Sequence, residues 1–150
     1  MFFKDLDFGK KYEKELLKII PHDSFNTVEG LFKDYDIELI KDNNKTLYEV
    51  KSDRWTQKTN NVCIEFECSN KPSGISTTKS DYYAYFIIIN DGYDLIVIKT
   101  ETIKKLIKEK KYNKIKMGGD NNNSIFYLFD KNIFYNNKEF ISSSLASSSF

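Results

Sequence analysis

Asp36, Glu49 and Lys51 are the residues of this chain whose types and spacing can do chemistry together. The stretches Asp36-Ile37-Glu38-Leu39-Ile40 and Tyr48-Glu49-Val50-Lys51 read as two strands joined by a polar turn, Asp42-Asn43-Asn44-Lys45. Side chains alternate along a strand, so Glu49 and Lys51 share one face and Val50 takes the other. Asp36 lies opposite them if the hairpin pairs in register. Two carboxylates can then hold a divalent cation, and one ammonium can hold a phosphate or act on a nucleophilic water. That is the minimum equipment for metal-assisted hydrolysis of a phosphodiester. The plain alternative is a cross-strand charge pair on a solvated sheet face.

The elements that must position these groups follow from periodicity. Residues from about Gly9 to Ile20 predict an amphipathic helix ended by Pro21, with Tyr12, Leu16, Leu17, Ile19 and Ile20 on its apolar arc. Glu13 falls inside that arc, and a carboxylate on a buried face needs a partner. After the hairpin, Val62 to Glu67 alternates as a third strand. Ser76 to Ser80 has the composition of a capped short helix. Tyr82 to Ile89 and Tyr93 to Lys99 are two strands around the turn Asn90-Asp91-Gly92. Thr100 to Lys111 predicts a second helix with Ile103, Leu106 and Ile107 inward, and Ser124 to Phe129 a late strand. This order predicts an α/β domain around a mixed sheet, spanning residues 1–141. A serine-rich flexible tail is expected over 142–150.

A chain of 150 residues with a net charge of +1 is long enough for one core and has no global field to draw in nucleic acid. Any basic surface must be local. The start, Met-Phe-Phe-Lys-Asp-Leu-Asp, is acidic where a secretory leader would be basic, and no apolar run reaches membrane-spanning length. The expectation is a cytoplasmic location, or a host-intracellular one for a viral chain, with reduced Cys63 and Cys68 and no membrane partner. One histidine, His22, excludes HNH-type chemistry and a histidine-rich zinc site. A serine hydrolase lacks its nucleophile elbow, and Gly118-Gly119 is not followed by the Gly-Lys-Ser/Thr of a phosphate-binding loop.

Four further groups are candidates for contacts around the hairpin. Glu65 on the third strand either extends a cation site or faces solvent. Ser76, Thr78 and Lys79 can hold a phosphate at a helix start, or form a plain cap. In the loop after Lys51, Trp55 can stack on a base with Arg54 and Lys58 on phosphates, or pack over the sheet edge. The run Lys104, Lys105, Lys108, Lys110, Lys111, Lys114, Lys116 is the largest basic concentration, either a solvated face or a nucleic-acid track.

The helical Glu13 in Gly9-x-x-x-Glu13, then Tyr35-Asp36-Ile37, then Glu49-Val50-Lys51 resembles the PD-(D/E)xK nuclease superfamily, the restriction-endonuclease-like fold. The likeness extends over Val62 to Ile89, roughly the first 90 residues. Small phage and large-virus members and Holliday-junction-resolvase-like nucleases look most similar. The resemblance implies a restriction-endonuclease-like core and metal-dependent cleavage of DNA. It implies Mg²⁺ or Mn²⁺ on Asp36 and Glu49, with the Val50 carbonyl as a third oxygen and Glu13 binding through water or at a second metal. Lys51 would orient or deprotonate the attacking water and stabilise the phosphorane, as amine or as ammonium. For resolvase-type members it also implies a homodimer; Tyr82 to Phe86 or the C-terminal strands either form its interface or belong to the core. The competing reading is a catalytically silent domain of the same fold that binds nucleic acid or protein.

Overall fold

The computed structural model describes residues 2–30 and 34–144, with side chains from residue 9 onward, that of Asp120 excepted. The chain begins with helix α1, Phe2–Ile19. It starts earlier than periodicity predicts, since no breaker stands in the preceding residues and an isolated glycine is tolerated in a helix. It ends where Ile20 N–H bonds the Leu16 carbonyl and Pro21 supplies no further donor. Tyr12 and Leu16 are its buried contacts.

The main sheet is built from β1 (Ser24–Thr27), β2 (Ile37–Lys41), β3 (Asn44–Asp53), β6 (Tyr82–Ile89), β7 (Gly92–Lys99) and β10 (Phe140–Ser144), in the spatial order β1-β2-β3-β6-β7-β10. The β2–β3 hairpin closes on two residues, Asp42 and Asn43, both at positive φ. Asp and Asn tolerate that region and match the strand twist. All neighbours are antiparallel except β3 and β6, which run parallel. A parallel pair needs a crossover. Here it is made by a short helix α2 (Thr56–Thr59), the strands β4 (Asn61–Cys68) and β5 (Lys71–Pro72), and a single 3₁₀ turn at Gly74–Ser76.

The expected third strand therefore forms, but in a different sheet. β4 joins β5, β9 (Ser124–Asp130) and β8 (Lys114–Gly118) in a second sheet ordered β5-β4-β9-β8. Helices α3 (Thr100–Lys108) and α4 (Lys131–Asn136) complete the domain. α3 buries Ile103 and Leu106, as its periodicity predicts. Two cores result, one on each face of the main sheet. Tyr12 and Leu16 of α1 pack with Ile37, Leu39, Tyr48, Ala84 and Phe86. On the opposite face, Tyr83, Tyr85 and Ile87 pack with Val62, Ile64 and Phe129 of the second sheet.

Two expectations change with this arrangement, and one open choice is made. Ser76 to Ser80 is not a helix of its own: Ser76 closes the 3₁₀ turn, the Thr77 and Thr78 N–H groups bond back to the Gly74 carbonyl, and Lys79 N–H bonds the Asp34 carbonyl. Of the two readings of Tyr82 to Phe86 the structure supports core: the segment lies on an inner strand with both faces covered. Ser142 to Ser144 belong to β10, paired with β7, rather than to a tail; residues 145–150 lie outside the described residues. No helix among the described residues is long and apolar enough to cross a membrane.

Gly74 is the position where the crossover allows no side chain. Its φ is +52°, and a Cβ there would sit 2.2 Å from the Glu65 carbonyl oxygen. Gly74→Ala combines a left-handed backbone with a clash against main chain, and should cost roughly 2–4 kcal/mol. Urea denaturation checks this; an unchanged midpoint would show that the turn can move away from β4.

Candidate active site

Asp36 stands one residue before β2, whose register with β3 ends at the pair Ile37 and Tyr48. Its N–H bonds the Tyr48 carbonyl at 2.9 Å, and its Oδ2 accepts the Val50 N–H at 2.7 Å. The carboxylate thus takes the place of the next strand carbonyl, and the β2 ladder stops there. Asp36 is buried by this exchange. Within a strand a residue's N–H and C=O point to the same side, so the Val50 carbonyl is directed toward Asp36 as well. Beyond this point β3 continues with only β6 beside it.

Glu49 is the residue opposite Asp36, and its side chain is 13% exposed. Thr78 Oγ1 donates to Glu49 Oε1 at 3.3 Å, and Lys51 Nζ lies 3.5 Å from Glu49 Oε2. Burial, above all, pushes the Glu49 carboxyl up to about 7. Lys51 opposes that rise, and the Asp36 carboxylate, which shares a hydrogen bond with Glu49, adds to it. Lys51 itself is 47% exposed at the side chain, open to an approaching substrate.

The raised carboxyl has a consequence for stability. The folded chain holds its proton more tightly than the unfolded chain, where the value is 4.5. Stability from this group is complete below about pH 4.5 and is lost as pH rises toward 7. Without divalent cation, wild type should lose roughly 3 kcal/mol across that window relative to Glu49→Gln. Denaturation at pH 5 and pH 8 in chelator measures it, and a pH-independent difference would mean that Glu49 is well solvated.

The fate of the other candidates follows from their elements. Glu13 is half-buried on α1, whose Tyr12 and Leu16 contact the face of the sheet opposite Glu49 and Lys51. Glu65, on β4, accepts from Ser73 Oγ at 2.9 Å, and its charge acts on Tyr83. Among the described residues, no group of three His, Cys, Asp or Glu side chains gathers closely enough to hold a metal ion. Neither Glu13 nor Glu65 therefore completes a three-acid set with Asp36 and Glu49.

Thr78 belongs to the site through Glu49, and its hydroxyl also contacts Ser80 Oγ at 2.8 Å. Ser76 instead donates to the Phe66 carbonyl, and Lys79 pairs with Asp34 at 3.5 Å. The phosphate-holding helix start expected at these residues is absent, because only the single 3₁₀ turn Gly74–Ser76 forms there and no helix follows it. Arg54 acts electrostatically on Tyr12, on the α1 side. Trp55 is 65% exposed, so it does not pack over the sheet edge. Lys58 Nζ stands 5.5 Å from its ring centroid. The lysine run is divided between α3, where Lys104 pairs with Glu101, the turn after it with Lys110 and Lys111, and the edge strand β8, which carries Lys114 and Lys116.

Tyr83 joins the site without having been among its candidates. The parallel register sets it beside Glu49. Burial, followed by the charges of Glu49, Asp36 and Glu65, holds its phenol far above the usual range. It is a fully protonated, buried wall to the acid pair. No signal in the sequence separates it from the neighbouring tyrosines, because only the pairing of β3 with β6 puts it there.

The donor set suits a hard divalent cation. Two touching carboxylates repel unless a proton or a cation lies between them, and Mg²⁺ typically takes one or two carboxylates plus water and substrate oxygens. The oxygens of Asp36, Glu49 and the Val50 carbonyl fit that description. Comparison of the chain with protein-family models, with curated proteins and with solved structures finds no match. What the geometry itself defines is a mixed α/β protein with, among the described residues, four α-helices and two sheets.

Proposed function

We propose that this chain is a metal-dependent nuclease with a restriction-endonuclease-like core, hydrolysing phosphodiester bonds in DNA. One observation carries the reading: Asp36 and Glu49 meet where β2 begins, with Lys51 beside them and open to solvent. Asp36, Glu49 and the Val50 carbonyl would hold Mg²⁺ or Mn²⁺, which when bound supplies Lewis-acid charge for the phosphoryl oxygens. Asp36 is fixed by Val50 N–H and Glu49 by Thr78, so neither carboxylate has to reorganise on binding. Lys51, on the same face, presents its ammonium to a phosphate and to the water that attacks it. Tyr83 closes the buried side and keeps bulk water from the acids.

The test is a panel of labelled single strand, duplex, flap and four-way junction, incubated with Mg²⁺, Mn²⁺ or chelator. Cation-dependent cutting is expected, with the preferred member naming the subclass, and Mn²⁺ should raise the melting temperature by mass action. No cutting of any member would end the nuclease reading. A silent nucleic-acid-binding domain is favoured by one observation, that no third acid among the described residues joins Asp36 and Glu49. Binding to one substrate without cutting is its signature.

A further inference from the structure

A groove of about 540 Å³ opens beyond the end of β3, between Trp55 and the second sheet. Asp53 begins it. Strand alternation puts Glu49, Lys51 and Asp53 on one face, so the groove starts within about 15 Å of the acid pair. Its floor is apolar. The register of the second sheet sets Cys63 beside Leu128, Leu128 beside Lys114, and Phe126 beside Lys116. Trp55 and Met117 line it as well, exposed by 65% and 59%. Two large apolar side chains left in water beside one concavity mark a site for a flat apolar ligand.

The charge around the groove identifies the ligand further. Lys114 and Lys116 line it, and Lys58 is held against the Trp55 ring. Neither Lys114 nor Lys116 takes part in an ion pair among the described residues. Among the described residues the one acid in the lining, Asp53, is already engaged. Its Oδ1 accepts the N–H groups of Trp55 and Thr56 at 2.6 and 3.1 Å, and its Oδ2 accepts the Tyr85 hydroxyl at 2.9 Å. The groove therefore offers stacking surface with a cationic margin, which suits an aromatic ring carried on an anionic chain.

We infer that this groove takes an unpaired nucleobase of a single-stranded segment, adjoining the phosphate held at Asp36, Glu49 and Lys51. The inference rests on the nuclease reading for the position of that phosphate, and it narrows the substrate to nucleic acid with unpaired nucleotides at the cut. A duplex cannot fill the groove, since its base faces are already stacked on one another.

Trp55 is the sole tryptophan, so its fluorescence reports occupancy of the groove directly. The full chain, in chelator, is titrated with an oligothymidylate, with an abasic strand of the same length and charge, and with a blunt hairpin duplex. Quenching by oligothymidylate, with binding at least about 10-fold tighter than to the abasic strand, is expected. Followed by anisotropy of a labelled strand, Trp55→Ala should weaken oligothymidylate binding by about 5- to 100-fold and leave abasic binding unchanged. Lys116→Ala should weaken both strands alike, through lost phosphate contact. Equal affinity for the two strands, an unaffected Trp55→Ala variant, or no binding of any single strand overturns the inference. Base-dependent quenching in a protein that cuts nothing keeps the groove and removes the nuclease reading. Cutting with base-independent binding does the reverse.

Discussion

Glu49→Gln is expected to abolish cation-dependent cleavage and at the same time to stabilise the cation-free protein above neutral pH. The two effects come from one source. Glu49 is buried against Asp36, and its carboxyl is pushed up to about 7, so at pH 8 the folded chain carries a charge that it would rather lose. Glutamine keeps the size and can still accept from Thr78, whose hydroxyl lies 3.3 Å from Glu49 Oε1. It loses the ion pair with Lys51, but that lysine is half-exposed, and such pairs contribute about 0–1 kcal/mol. The net gain should be about 1–3 kcal/mol, seen as a melting temperature several degrees higher in chelator. Cleavage should fall by about 10³-fold or more, since several kcal/mol of cation-borne charge stabilisation is withdrawn. A variant that is inactive but less stable than wild type at pH 8 would contradict the buried-acid geometry. A variant that still cuts at the wild-type rate would remove Glu49 from the reaction.

Lys51→Ala should separate chemistry from cation binding. The side chain is open to solvent, so the fold should survive its removal. Loss of a positively charged group at the reacting phosphate should lower the cleavage rate by about 10²–10³-fold. Cation affinity should hold or improve, because an ammonium 3.5 Å from Glu49 opposes a second positive charge there. Single-turnover cleavage at saturating Mn²⁺, set beside a Mn²⁺ titration of the melting temperature, distinguishes these quantities. A rate restored in full by excess Mn²⁺ would make Lys51 a determinant of cation binding and not of the reaction. Wild-type cleavage would remove it from the mechanism.

The local pattern was legible because strand alternation is a property of the backbone. Glu49 and Lys51 share a face in any strand, and a polar turn after Ile40 brings Asp36 opposite Glu49 if the pairing is regular; the register is regular. The helix with Tyr12 and Leu16 inward, the β6–β7 hairpin, and the inward Ile103 and Leu106 follow in the same way from period 3.6 or period 2. What those periods cannot carry is which elements become neighbours. The parallel pairing of β3 with β6 is a long-range choice, and it alone sets Tyr83 beside Glu49. Partition of β4 into a second sheet is another. It carries Glu65 to a contact with Ser73 and creates the groove between Trp55 and β8.

Glu13 and the segment around Ser76 show the limit most clearly. A helical wheel places Glu13 on the apolar arc but does not say which face of the sheet that arc will cover, and α1 covers the face away from Lys51. Ser76-Thr77-Thr78-Lys79-Ser80 has the composition of a helix cap, yet Gly74 turns the chain at positive φ and Asp34 holds Lys79 N–H. Thr78 reaches Glu49 from just after that turn instead. The sequence by itself determined the acid pair, its lysine and the strands that bear them, since these depend on neighbours in the chain. The tertiary structure decided the tyrosine behind the acids, the hydroxyl that holds one of them and the aromatic groove beside them. Those depend on contacts between residues far apart in sequence, and it is burial in the assembled core that selects among the pairings the strands allow.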